Sequence, residues 1–250
     1  MKKSVICCLT LMMILAFALK ASSDIVVSSK HDFSITTGIG SFQFDAVNVC
    51  SFCHTPHHAN PTAPVLWNRS LKTSSNFTLY SSVQHPGIEA AQNLDTTKYS
   101  LLCLSCHDGS TAINTVINKQ GDAFTQLSLY DQIGDVTNPV DPIYGMNIGG
   151  FDAAGAPLAG NPSLRNDHPV GFAYTAALIA QDRQDTGHAT DQLATPNAAG
   201  YVGDQSVRLF GSSRNVLECG TCHNPHDNQF GKFLVKSNAN SDLCRTCHLK

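Results

Sequence analysis

The stretch Cys219-Gly220-Thr221-Cys222-His223 sets the reading of this chain, because its frame, C-x-x-C-H, occurs three more times. The others are Cys50-Ser51-Phe52-Cys53-His54, Cys103-Leu104-Ser105-Cys106-His107 and Cys244-Arg245-Thr246-Cys247-His248. The chain has 10 Cys and 11 His in 250 residues. Chance at that composition supplies roughly 0.02 such frames, so four of them mark c-type haem attachment. In chain order they are frames one to four.

The spacing has a chemical reason. Two thiols three positions apart add to the two vinyl groups on one haem edge, and the adjacent imidazole lies under the iron as the proximal ligand. The expected cofactor is four haem c, attached through Cys50, Cys53, Cys103, Cys106, Cys219, Cys222, Cys244 and Cys247, with His54, His107, His223 and His248 proximal. Two blander readings compete. Cys219, Cys222, Cys244 and Cys247 come close to a zinc-ribbon spacing, and a lone C-x-x-C can be a thiol redox pair. Neither accounts for a His directly after the second Cys in all four frames.

Around the frames the chain reads as an exported protein. Met1-Lys2-Lys3 is a short basic start, followed by an apolar run from Val5 to Leu19 and small residues at Ala16, Ala18 and Ala21. This predicts a signal peptide over 1–21, since the run is shorter than the ~20 apolar residues of a membrane span. Cys7 and Cys8 leave with it, and the other eight Cys are consumed by the frames, so no disulfide is expected. Export fits haem attachment, which takes place outside the cytoplasm, and the expected location is periplasmic or at the cell surface.

The remaining chain, 22–250, is expected to be one tetrahaem domain, with haem pair one in 50–107, a loop-rich insert over 121–217 and haem pair two in 219–248. With 18 Gly, 11 Pro and 14% charged residues it is short of regular structure. The fold class expected is a multihaem cytochrome c: mostly irregular coil with short α-helices wrapped around four stacked haems, and little β. Porphyrins would then form much of the core. The net charge of −3 argues against a nucleic-acid partner.

Local patterns predict a few elements. Pro86 opens a short helix through Ile88 to Leu94. Ile113, Val116 and Ile117 fall at helical spacing behind Ser110, and a helix-like run extends from Tyr174 to Gln184. Frame one continues as Cys53-His54-Thr55-Pro56-His57-His58 and frame three as Cys222-His223-Asn224-Pro225-His226, an internal C-H-x-P-H repeat.

Seven His remain for four distal positions, and outside the signal only Met146 could supply a thioether. Bis-His, low-spin, low-potential haem is the economical reading. His57 and His226 are preferred because they share the repeat and lie too near their own proximal His to reach round its haem. His168 follows, since Pro169 restricts its backbone. His31, in a polar arm without an apolar pattern, is expected to supply the fourth ligand, free to reach an adjacent subunit, with His85 and His58 as alternates. His188 is the expected bystander.

The chain resembles the doubled C-x-x-C-H multihaem cytochromes of metal-reducing bacteria. Within them it is similar to tetrahaem outer-surface cytochromes of the OmcE type, which polymerise into filaments. The likeness rests on Lys30-His31-Asp32-Phe33-Ser34, Cys53-His54-Thr55-Pro56-His57, Cys106-His107-Asp108-Gly109, Asp167-His168-Pro169-Val170 and the C-terminal frame pair. The insert from Gly121 to Asn166 has no match in it. The resemblance implies electron transfer in extracellular respiration, redox proteins or extracellular acceptors as partners, and a homopolymer with inter-subunit haem ligation. On this reading the protein is an electron carrier without catalytic residues. The alternatives are a multihaem reductase of a small oxyanion, of the nitrite type, and a monomeric periplasmic shuttle.

Overall fold

The structure is a computed structural model that describes residues 26–34, 44–45, 48–81, 86–108, 111, 115–119, 148, 163–165, 167–187 and 192–249. The expected signal peptide, His85, His188, Met146 and most of 121–166 lie outside them. Among the described residues no helix is long and apolar enough to cross a membrane.

Five short α-helices occur among the described residues: α1 (Pro86–Ala91), α2 (Tyr99–His107), α3 (Ala176–Thr186), α4 (Cys219–Cys222) and α5 (Asp242–Cys247). Three of them are haem frames. Frame two closes α2, frame three makes up α4 and frame four closes α5, while frame one is a 3-10 turn over Val49–Phe52. The frame-one turn starts where the Asn48 side chain accepts the Cys50 N–H at 3.0 Å, a capping use of Asn.

Two antiparallel ribbons accompany them, β1 (Phe172–Ala173) with β4 (Val216–Leu217), and β2 (Tyr201–Val202) with β3 (Val207–Arg208). The first ribbon pairs Phe172 with Leu217 and Ala173 with Val216, joining the middle of the insert to its end directly ahead of frame three. Gly171 makes the entry possible. Its φ is +75°, a Cβ there would lie 2.7 Å from the Leu94 side chain, and its N–H donates to the Leu217 carbonyl at 2.7 Å.

The expected run from Tyr174 to Gln184 is α3, shifted by two residues at each end. Thr175 sets its start by accepting the Leu178 N–H, and Gly187 at φ 69° ends it. The expected start at Pro86 is present, but α1 stops at Ala91. The expected helix through Val116 and Ile117 is absent at those two residues. Asn68 takes their neighbourhood's donors instead: its carbonyl accepts the Ile117 N–H and its side chain the Asn118 N–H, each at 2.8 Å. Ser110 and Ile113 lie outside the described residues.

Two packed cores stand out among the described residues. The larger gathers Phe172, Tyr174, Ile179, Val202, Leu209 and Leu217 of the insert with Leu243 of frame four. The smaller joins Phe77, Leu94 and Leu164 to Leu101 and Leu104 of α2. Burial of each such side chain is worth about 1.5–3 kcal/mol. Residues 170–187 and 192–217 of the insert thus form a packed scaffold behind the C-terminal frames. It also straps frame four, because the Ala194 N–H donates to the Cys247 carbonyl and the Leu249 N–H to that of Gln192, both at 2.8 Å.

Candidate haem centres

Frames one and three are built alike. In frame one the His54 Nδ1–H donates to the Val65 carbonyl at 2.7 Å. The Thr55 N–H donates to Leu66 at 3.0 Å, and the Asn68 N–H to Cys53 at 2.8 Å. In frame three the His223 Nδ1–H donates to the Lys232 carbonyl at 2.9 Å. There the Asn224 N–H donates to Phe233 at 2.7 Å, and the Val235 N–H to Cys222 at 3.0 Å. Each return strand is entered through two successive residues of positive φ, Val65 (59°) and Leu66 (53°), and Lys232 (50°) and Phe233 (56°). Such backbone costs roughly 1–2 kcal/mol per residue. It aims a carbonyl at the imidazole, and because a carbonyl only accepts, Nδ1 carries the proton and Nε2 keeps its lone pair for a metal.

The frames are neighbours in chain order. The Cys53 thiol interacts electrostatically with Cys106, Cys103 and Cys219 share a hydrogen bond, and Cys222 interacts with Cys247. The contact between frames two and three is locked by Glu218, 1% exposed. Its carboxylate accepts the Ser100 N–H at 3.0 Å and the Ser100 and Thr97 hydroxyls, while the Cys219 N–H donates to the Ser100 hydroxyl at 3.0 Å. Burial pushes the Glu218 carboxyl up against the opposing pull of these hydrogen bonds. Frames one and two are joined through buried Trp67, whose indole N–H donates to the Ser105 hydroxyl at 3.1 Å, and Arg69, whose Nε–H donates to the Ser105 carbonyl at 3.2 Å.

Three histidines outside the frames meet a frame histidine. His226 faces His54 with ring centroids 6.1 Å apart and planes at 20°. His31 faces His107 at 6.1 Å and 68°, and His168 faces His248 at 6.3 Å and 72°. Burial, and then the adjacent His107, push His31 down to about 4. Burial and His54 also lower His226. Both shifts favour the neutral ring, the form that ligates metal.

The arm does not leave its own chain. Asp32 folds residues 28–34 into a turn by accepting the Ser28 N–H at 2.7 Å and the Ser34 N–H at 3.1 Å. Phe33 packs edge-on to Phe52 of frame one, and His31 stacks on Phe233 at 4.2 Å and 11°. Within the single chain, Asp32, Phe33 and Phe233 hold His31 beside His107.

His57 and His58 are exposed, and among the described residues neither is brought to a frame histidine. Nor does a ring contact join His223 to a second imidazole there. No group of three or more His, Cys, Asp or Glu side chains converges on a metal-sized site among the described residues. The four thiols of frames three and four thus do not form the cage a zinc ribbon needs.

This donor set fits haem iron: paired imidazoles, carbonyls fixing the tautomer, and two thiols in each frame next to its histidine. Residues 214–250 match the family model described as the doubled CXXCH motif. The chain thus carries the motif of multihaem c-type cytochromes in its C-terminal part, which marks the CXXCH frames there as sites of covalent haem c attachment. No curated protein matches the chain.

Sequence reading missed Glu218, Arg69 and Asp32, the residues that hold frames and arm together. Only position could have pointed to Glu218, one residue ahead of frame three.

Proposed function

We propose that this protein is an exported carrier that moves electrons through four covalently bound, bis-His haems. The observation that carries the reading is the succession of contacts between frames: Trp67 and Arg69 to Ser105 between one and two, Glu218 and Cys219 to Ser100 between two and three, and the shared core against which Cys222 and Cys247 pack between three and four. When bound, haem iron supplies one-electron exchange between its ferric and ferrous states. The chain's own part is positional. Val65 and Lys232 orient two proximal imidazoles, Glu218 fixes frame two against frame three, and the insert holds frame four.

Extracellular respiration and end-to-end assembly of copies belong to the same proposal, supported by the scattered likeness in the frames, arm and Asp167-His168-Pro169-Val170. A joint through His31 would require the arm to leave its contacts with Phe233 and His107 in its own chain.

The test uses full-length protein from a host that exports it and attaches haem c. A denaturing gel stained for haem, with the intact mass, should show four covalent haems per chain. Reduction should spread over a wide low-potential range, since charge added at one centre disfavours the next nearby. Zinc in place of iron without a Soret band would end the haem reading. A high-spin ferric signal in the intact protein would turn it toward an oxyanion reductase.

A further inference from the structure

We propose that three of the haems are closed by histidines in fixed pairs: His226 for the haem of frame one, His31 for that of frame two, and His168 for that of frame four. The inference rests on the four-haem reading and adds which side chain serves which centre.

The argument begins with distance. An imidazole nitrogen bonds a first-row metal at about 2 Å and lies about 1.1 Å from its ring centroid, so two imidazoles trans across one metal have centroids roughly 6 Å apart. The three observed separations are 6.1, 6.1 and 6.3 Å. A true stack in the same site, His31 on Phe233, is much closer at 4.2 Å. The histidine pairs are thus set apart by a gap that an iron between them fills. Each also joins one frame histidine to one histidine from outside the frames, the division that trans ligation requires.

Ring angles agree with this arrangement. Two trans imidazoles can turn independently about their common axis, so their planes can be near parallel, as in His54/His226 at 20°, or near perpendicular, as in His107/His31 at 68° and His248/His168 at 72°.

The pairing ties distant parts of the chain. The segment His223-Asn224-Pro225-His226 carries the proximal ligand of one haem and the distal ligand of another, and its turn is held where the His226 N–H donates to the Asn224 side chain at 3.1 Å. Haem one is then fastened to haem three by three residues of backbone.

The test is made on full-length, haem-loaded protein with His226→Ala, His31→Ala and His168→Ala. Each variant should keep four covalent haems and convert one to high spin, read by electron paramagnetic resonance. Assignment comes from crossing His226→Ala with loss of a frame. In Cys50→Ala/Cys53→Ala, which lacks haem one, adding His226→Ala should create no high-spin haem. In Cys219→Ala/Cys222→Ala, which lacks haem three, it should create one. The reverse pattern would overturn the pairing.

If a frame-deleted protein fails to accumulate, the low-spin spectra of the single variants decide. His226→Ala should remove a rhombic low-spin signal, the mark of near-parallel ligand planes. His31→Ala and His168→Ala should each remove a strongly anisotropic signal, the mark of near-perpendicular ones. Loss of an anisotropic signal in His226→Ala overturns the proposal. Absence of covalent haem in the unmodified protein would instead overturn the four-haem reading.

Discussion

The carboxylate of Glu218 accepts the Ser100 backbone N–H at 3.0 Å, so the residue before frame three caps the helix that carries frame two. α2 has no side-chain cap of its own at Lys98, whose φ is 64°, and the missing acceptor comes from the opposite side of the contact. Glu218→Ala would leave the Ser100 and Thr97 donors buried without a partner, at about 1–3 kcal/mol. Glu218→Gln, which still accepts, should cost less. Chemical denaturation of the haem-loaded protein measures both, and an Ala variant as stable as the parent would show that the lock contributes nothing.

Gly220 is the second position of frame three because Phe210 lies over it. A Cβ at Gly220 would sit 2.8 Å from the Phe210 ring, which also packs on Tyr99 at a centroid distance of 4.8 Å. Gly220→Ala should therefore destabilise by about 1–3 kcal/mol, as overpacking does. In a Phe210→Ala background the added penalty should largely vanish. An equal penalty in both backgrounds would place the cause elsewhere.

Lys236 bridges Asp204 at 2.7 Å and Asp242 at 2.9 Å. Its hydrogen bond, followed by those of Ser206, holds the Asp204 carboxyl well below the usual carboxylate range. A depressed acid stabilises the fold above its unfolded pKa of about 3.9, and that contribution disappears as the pH falls through the lower folded value. Both carboxylates are more than half exposed, so screening leaves under about 1 kcal/mol. Lys236→Met should show this deficit at neutral pH and low salt, and it should shrink in strong acid and in high salt. Thermal melts across pH and salt test it, and a deficit independent of both would exclude the charge pair as its source.

Thr175 starts α3, the helix that carries Ile179 into the larger core. Thr175→Ala should cost about 1 kcal/mol, and Thr175→Ser should restore most of it. A melt of the three proteins side by side gives the answer directly.

The attachment chemistry was legible in sequence because covalent linkage demands a fixed local spacing. The repeat at Cys53-His54-Thr55-Pro56-His57 and Cys222-His223-Asn224-Pro225-His226 was equally legible, and it folds into two matching hydrogen-bond patterns. What the repeat does not encode is the difference between His57 and His226. The Asn118 side chain donates to the His57 carbonyl at 2.9 Å, and His58 turns to φ 57°, so surroundings distant in sequence set the two apart. Val116 and Ile117 have helical spacing, yet Asn68 captures the local donors, a tertiary choice that periodicity does not register. The ribbons of the insert have two-residue strands, too short to alternate visibly. His31 looked untethered because the ring it stacks on, Phe233, lies far along the chain.

The distance along the backbone between His54 and His226 has a consequence for how the protein is made. During export His54, His57 and His58 emerge together, long before His226. His57 lies too near His54 in the chain to reach round the haem it carries, and the imidazole the finished fold brings to His54 arrives last. Contacts between remote segments are slow to form. On the proposed pairing, the first haem therefore waits with one side open until the residues around His226 have followed. Protein whose synthesis stops before frame three would hold its first cofactor with an incomplete set of ligands, open to oxygen and to misbinding.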